Sequence, residues 1–224
     1  IAHLSPDGDL VWLNSYGGSN NDDGIQIKYH DEQVFTFMNA DYTGFSVHGN
    51  QPNLALNDNK RHFALTAHNS ETGGLNWVWF IGSDNDDYAD SPLNQLAQQF
   101  HLGDIEADES GVYLSALTRN FELRLSRVAN TDLQITTSTN SSNEKGQMMR
   151  FGLDGTFGWH RPTSTSLTST LKRYYMSSAA DCEFLYTSLK RRQSSSISSM
   201  LWAVIKTRKS DGTIVNFNFF YFFN

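Results

Sequence analysis

"DGDLVW" (7–12), "TGGLNW" (72–77), "DGTFGW" (154–159) and "DGTIVN" (211–216) are copies of one short pattern, a tight turn feeding a strand. Three of the four place a tryptophan at the same offset. A fixed turn joined to a fixed large side chain marks a repeated structural unit, and this constrains the fold more than any other feature of the chain. The turn glycines Gly8, Gly73, Gly155 and Gly212 stand 65, 82 and 57 residues apart. Glycine supplies the positive φ of such a turn, and the neighbouring Asp bonds its backbone.

The flanking sequence repeats as well. Before each turn lies a short alternating segment: "IAHLS", "HFALTAHNS", "QMMRFGL" and "LWAVIKTRKS". Farther along come "IQIKYHDEQVFTFMNA" (25–40), "DIEADESGVYLSALT" (104–118) and "YYMSSAADCEFLYTSL" (174–189), each two alternating strands around a polar turn. That is the signature of a β-hairpin. One unit is therefore a meander of four antiparallel strands. A single sheet of this kind leaves one apolar face uncovered, and stacking copies face to face covers it.

The expected fold is all-β, a set of β-propeller blades built from four-stranded antiparallel meanders in an incomplete ring. Trp12, Trp77 and Trp159 are expected to plug the space between adjacent blades. The units divide at 1–58, 62–143 (with long loops), 146–197 and 200–224. The last is read either as a partial blade completed by a partner or as a tail running past a true coding boundary, because six of the nine residues in "NFNFFYFFN" are aromatic. Within 90–103, Leu93, Leu96 and Phe100 have helical spacing and suggest a short helix.

Composition excludes several functions. No apolar run approaches the ~18–20 residues of a membrane-spanning helix. The start, "IAHLSPDG", lacks a signal peptide's pattern and an initiator Met, and is read as a processed end or an internal cut. A single cysteine, Cys182, excludes an intrachain disulfide and any multi-cysteine metal site. The one glycosylation sequon begins at Asn140. Net charge is −7, but residues 1–110 carry −14 and residues 111–224 carry +7. Opposite halves suit head-to-tail contact between copies or neighbours. The basic cluster "LKRRQ" (189–193) is short and has no interleaved aromatics, so nucleic acid is not an expected partner.

The stretch from "GDLVWLNSYGG" to "SETGGLNW" resembles the SBBP-type repeat, a seven-bladed β-propeller repeat of surface proteins. Phe63, Gly73, Trp77, Gly82, Asp87, Ile105, Asp108, Gly111, Tyr113 and Thr118 follow its pattern. The third unit departs from it where "HRPTSTSLTST" replaces the glycine–aspartate loop. The resemblance implies a propeller with a binding or structural role in an extracellular or cell-surface protein, and no specified activity.

The acidic loops are the best ligand candidates. Asp22 and Asp23 correspond to Asp86 and Asp87, with Asp84 beside them. Clustered carboxylates and amides are ligands for calcium, or more simply caps that accept turn N–H groups. His62 and His68 are too far apart along a strand to share an ion. There is no nucleophile elbow and no phosphate-binding glycine loop. "SPDGDLVW" has its glycine one place too early for the sialidase turn motif. The expectation is a non-catalytic structural or adhesive module displaying rim loops to protein partners, further copies of itself or glycans. The alternative is a glycosidase-like or quinoprotein-like propeller enzyme whose active site lies mostly elsewhere.

Overall fold

The computed structural model describes residues 1–17, 23–41, 46–47, 61–82, 103–118, 122–127, 131–136, 145–162, 173–192 and 200–221. Every regular element among them is a β-strand. These are β1 (Ala2–Leu4), β2 (Leu10–Leu13), β3 (Tyr16–Gly17), β4 (Asp23–His30), β5 (Gln33–Asp41), β6 (Ser46–Val47), β7 (Arg61–Asn69), β8 (Leu75–Gly82) and β9 (Gly103–Asp108). They continue with β10 (Gly111–Thr118), β11 (Glu122–Arg127), β12 (Thr131–Thr136), β13 (Lys145–Phe151), β14 (Phe157–Pro162), β15 (Arg173–Ala180), β16 (Phe184–Arg192), β17 (Met200–Arg208) and β18 (Ile214–Tyr221).

Three antiparallel meanders of four strands repeat along the chain: β4–β5–β7–β8, β9–β10–β13–β14 and β15–β16–β17–β18. Each joins an inner hairpin to an outer pair that carries the repeated glycine turn. The hairpin precedes the outer pair in sequence, so β4–β5 share a sheet with β7–β8 while β1 and β2 form a two-stranded sheet of their own. The β11–β12 hairpin, which the sequence did not announce, leaves the second meander and pairs through β11 with β8, widening the first to six strands. A further short pair joins β3 to β6.

The sheets pack face to face, and period-two alternation decides what fills each seam. In the first meander Phe35, Phe37, Leu65 and Trp77 point into a core shared with Ile105, Leu114 and Phe151 of the second. The opposite face buries Met38, Ala64, Val78 and Phe80 beneath Tyr16. Tyr113, Met148 and Trp159 leave the second meander on its other side to meet Leu185, Ala203 and Ile205 of the third. The first strands of the three sheets also lie side by side, with β9 touching both β4 and β15.

This arrangement corrects the resemblance to a seven-bladed SBBP-type propeller. The sheets form an open stack: among the described residues no strand of the last sheet pairs with β1 or β2, one sheet has six strands and two have only two. A turn and a tryptophan specify how neighbouring sheets meet, but they carry no information on closure. The aromatic tail is β18, paired along β17 from Leu201↔Tyr221 to Thr207↔Ile214. It is the fourth strand of its sheet. The helical spacing at Leu93, Leu96 and Phe100 lies outside the described residues.

Candidate functional site

The signature residues come together between sheets rather than within one. Trp12 Nε1 donates to Ser70 O at 2.8 Å, Trp77 Nε1 to Leu153 O at 2.9 Å, and Trp159 Nε1 to Lys209 O at 2.8 Å. Each acceptor belongs to the glycine turn of the following sheet. The side chain two residues after each tryptophan donates to the same turn: Asn14 to Gly73 O (2.7 Å), Trp79 to Gly155 O (2.8 Å) and Arg161 to Asp211 O (2.9 Å). The turn glycine lets the indole approach, since φ is +70°, +79° and +71° at Gly73, Gly155 and Gly212 and a Cβ there would clash with the ring. Gly8 has the same turn geometry (φ +89°), with nothing over it among the described residues.

Charged groups gather where β4, β9 and β15 lie alongside one another. Lys28 Nζ is 3.2 Å from Glu106 Oε2, an ion pair that is partly open to solvent. Asp104, two residues before Glu106 and so on the same face of β9, is buried. Both its oxygens accept backbone N–H groups, from Ile105 at 2.9 Å and from Ser178 of β15 at 2.6 Å. Burial pushes its carboxyl above the usual range despite those bonds and the Lys28 charge. The same contact brings Ser115 Oγ to 3.0 Å from Ser178 Oγ. Chemically this row can bind a polar or charged group through Lys28 and Glu106. Asp104 is already committed to tying β9 to β15.

Two further polar clusters are structural. Lys209 donates to Asp108 and to Asp181 O (2.6 Å), clamping the second hairpin turn to the third. Burial works against the Asp108 carboxylate, but the hydrogen bonds from Lys209 and Ser110 hold it below the ordinary range. Beneath the first sheets, Tyr16 Oη meets His68 Nε2 at 2.8 Å, His68 meets Thr66 Oγ1 at 2.9 Å, and Thr66 meets Thr36 at 2.6 Å. Burial pushes Tyr16 up to about 12 against the bond from Asn14.

Of the sequence-predicted calcium ligands, Asp22, Asp84, Asp86 and Asp87 lie outside the described residues. Asp23 opens β4, its backbone opposite Asn39. Among the described residues no three His, Cys, Asp or Glu side chains converge on a common point. Cys182 is exposed in the hairpin turn before β16. The Lys28–Asp104–Glu106 row was missed by sequence reasoning. Its local signal, alternating acids in "GDIEAD", says nothing about which strand lies opposite. No protein-family model matches this chain, and no curated protein matches it.

Proposed function

We propose that this chain is a non-catalytic structural or adhesive module, part of a surface or extracellular assembly, that holds loops in fixed geometry for protein or glycan partners. One observation carries the reading: the same indole-to-turn lock is built at three successive seams, a device for rigidity between sheets with no reacting group in it. Leu4, Leu10, Val11 and Leu13 of β1–β2 are all exposed among the described residues, which supports a partner-binding role. Acidic and basic halves add a means of attraction between chains, and calcium at the acidic loops would rigidify one rim.

Sedimentation velocity over a concentration series, at low and high salt and with calcium or chelator, tests this reading. Association that weakens with salt is expected. A second reading, hydrolysis, draws on the raised Asp104 beside Glu106. Turnover of aryl glycosides by the natural chain, lost in Glu106→Gln, would overturn the module reading.

A further inference from the structure

In all three meanders the connection between the second and third strands begins and ends at residues paired with each other: Asp41↔Arg61, Thr118↔Lys145 and Arg192↔Met200. A tight turn would close each pair. Two of the connections are instead long excursions that carry strands of their own, β6 in the first meander and β11–β12 in the second. The detour adds nothing to the register of the sheet it leaves. Both excursions reach back to the same place on the preceding unit. β6 pairs with β3 at Tyr16 and Gly17, four and five residues after Trp12. β11 pairs with β8 at Ile81 and Gly82, four and five residues after Trp77. Each adds a strand of one meander to the end of the preceding tryptophan strand, across the seam that the indole locks.

The second excursion is also fastened by side chains. Leu125 of β11 is fully buried in the core that the first two meanders share. Arg127, opposite Trp79 in the β11–β8 register, donates through Nη2 to Asp154 O at 2.9 Å. With Trp77 on Leu153 O and Trp79 on Gly155 O, three consecutive carbonyls of one turn accept from the six-stranded sheet.

The seam between the second and third meanders is built differently. The third meander's connection spans only residues 193–199. Pro162 stands three residues after Trp159, where Phe80 stands after Trp77 and pairs with Ser126. Proline has no N–H to offer an added strand. Among the described residues no strand of one of these two meanders pairs with a strand of the other. The apolar contact centres on Tyr113, Met148 and Trp159, against the aromatic core around Phe37, Trp77 and Phe151 at the first seam. Its other ties are polar. Ser178 donates its N–H to Asp104 and meets Ser115 through its hydroxyl, and Lys209 donates to Asp108. Water can satisfy all of these groups when the seam parts, so breaking them costs little beyond the net worth of each bond.

We infer that β6 and the β11–β12 hairpin are back-straps that set a line of opening in the molecule. The first and second meanders part from one another only on global unfolding, whereas the third parts from them as a unit while they stay folded. Each strap lies inside its own meander, between strands that pair with each other. The inference goes beyond the adhesive reading, which treats every seam alike, and does not depend on it.

Native-state hydrogen exchange of the full chain in sub-denaturing urea tests it. Amides of β16 and β17 are expected to exchange through a shared opening, about tenfold or more faster than those of β7, β8, β10 and β13, which share a slower one. Arg127→Met removes the bond from the strap to the Asp154 turn. It should speed the slower group about three- to tenfold and leave β16 and β17 unchanged. A second variant replaces residues 119–144 by Asn-Gly, the two-residue turn that suits the Thr118↔Lys145 pair. There β7 and β8 should separate from β10 and β13 and exchange about tenfold or more faster than in the parent chain. Should that variant not fold, the parent chain and Arg127→Met still decide the matter. One common rate across all three meanders would overturn the inference. So would β7 and β8 parting from β10 and β13 in the parent chain, an Arg127→Met effect spread equally over β16 and β17, or a folded replacement variant in which β7 and β8 are no faster.

Discussion

The indole of Trp77 lies against Gly155, the turn glycine of the following sheet. A methyl group built on Gly155 would stand 2.7 Å from Trp77 Cγ. The contact joins a local requirement, a left-handed turn residue, to a tertiary one, room for a ring from the neighbouring sheet.

Gly155→Ala should therefore suffer twice. The positive φ costs about 1–2 kcal/mol and the overlap with the indole about as much again. Gly8→Ala has the same φ penalty and no overlap, since among the described residues nothing lies within 4 Å of its Cβ position. Urea unfolding should show a loss of about 3 kcal/mol for the first and about 1 kcal/mol for the second. Equal losses would mean that the indole seam contributes nothing.

Asn216 occupies the place of the tryptophan on β18, four residues after Gly212, and is exposed. Its replacement by Ala should change stability by less than about 0.5 kcal/mol. Trp159→Ala, which empties the seam above Lys209 and Gly212, should cost about 3–5 kcal/mol. Trp159→Phe, which keeps most of the ring area but loses the bond to Lys209 O, should cost about 1–2 kcal/mol. The ordering of the three midpoints is the readout.

Lys209 is almost fully buried and Asp108 largely so, which makes the pair sensitive to loss of one partner. Lys209→Met should destabilise by about 3 kcal/mol, because it leaves the Asp108 carboxylate without its cation. Asp108 is depressed in the folded state, so its contribution is present above the ordinary carboxylate pKa and is lost as pH falls through its folded value. The variant should accordingly show a shallower acid limb in a melting-temperature profile.

His160 is largely buried against Gln147, whose Oε1 is 2.7 Å from its Nε2. Burial, aided by the Arg161 charge, lowers it from 6.5 to about 4. Between those values the unfolded chain binds a proton that the folded chain refuses. Its contribution to stability is full above 6.5 and drains away toward pH 4, by up to about 3 kcal/mol. His160→Gln should flatten that stretch of the profile, and an unchanged slope would show that the imidazole titrates normally in the fold.

The turns, the tryptophan strands and the three hairpins were legible in the chain because each is a local matter. A period-two alternation names the two faces of a strand, and a glycine at positive φ names a turn, from a handful of adjacent residues. Phe35 and Phe37 against Thr36 and Met38 can be read as two faces before any neighbour is known. What lies opposite a face or beside an edge involves residues far apart in sequence, and alternation is silent on it. Nothing in "ELRLSR" distinguishes a strand of the second meander from one that crosses to β8 of the first.

The same division separates the seam from the charged row. Gly8, Gly73, Gly155 and Gly212 announced a recurring contact, because turn and indole must recur together. Lys28, Asp104 and Glu106 became a group only when β4, β9 and β15 were laid side by side, bringing residues 28 and 106 within 3.2 Å. Local backbone preference sets the units; the stacking of their faces, driven by burial of non-local apolar surface, sets their company.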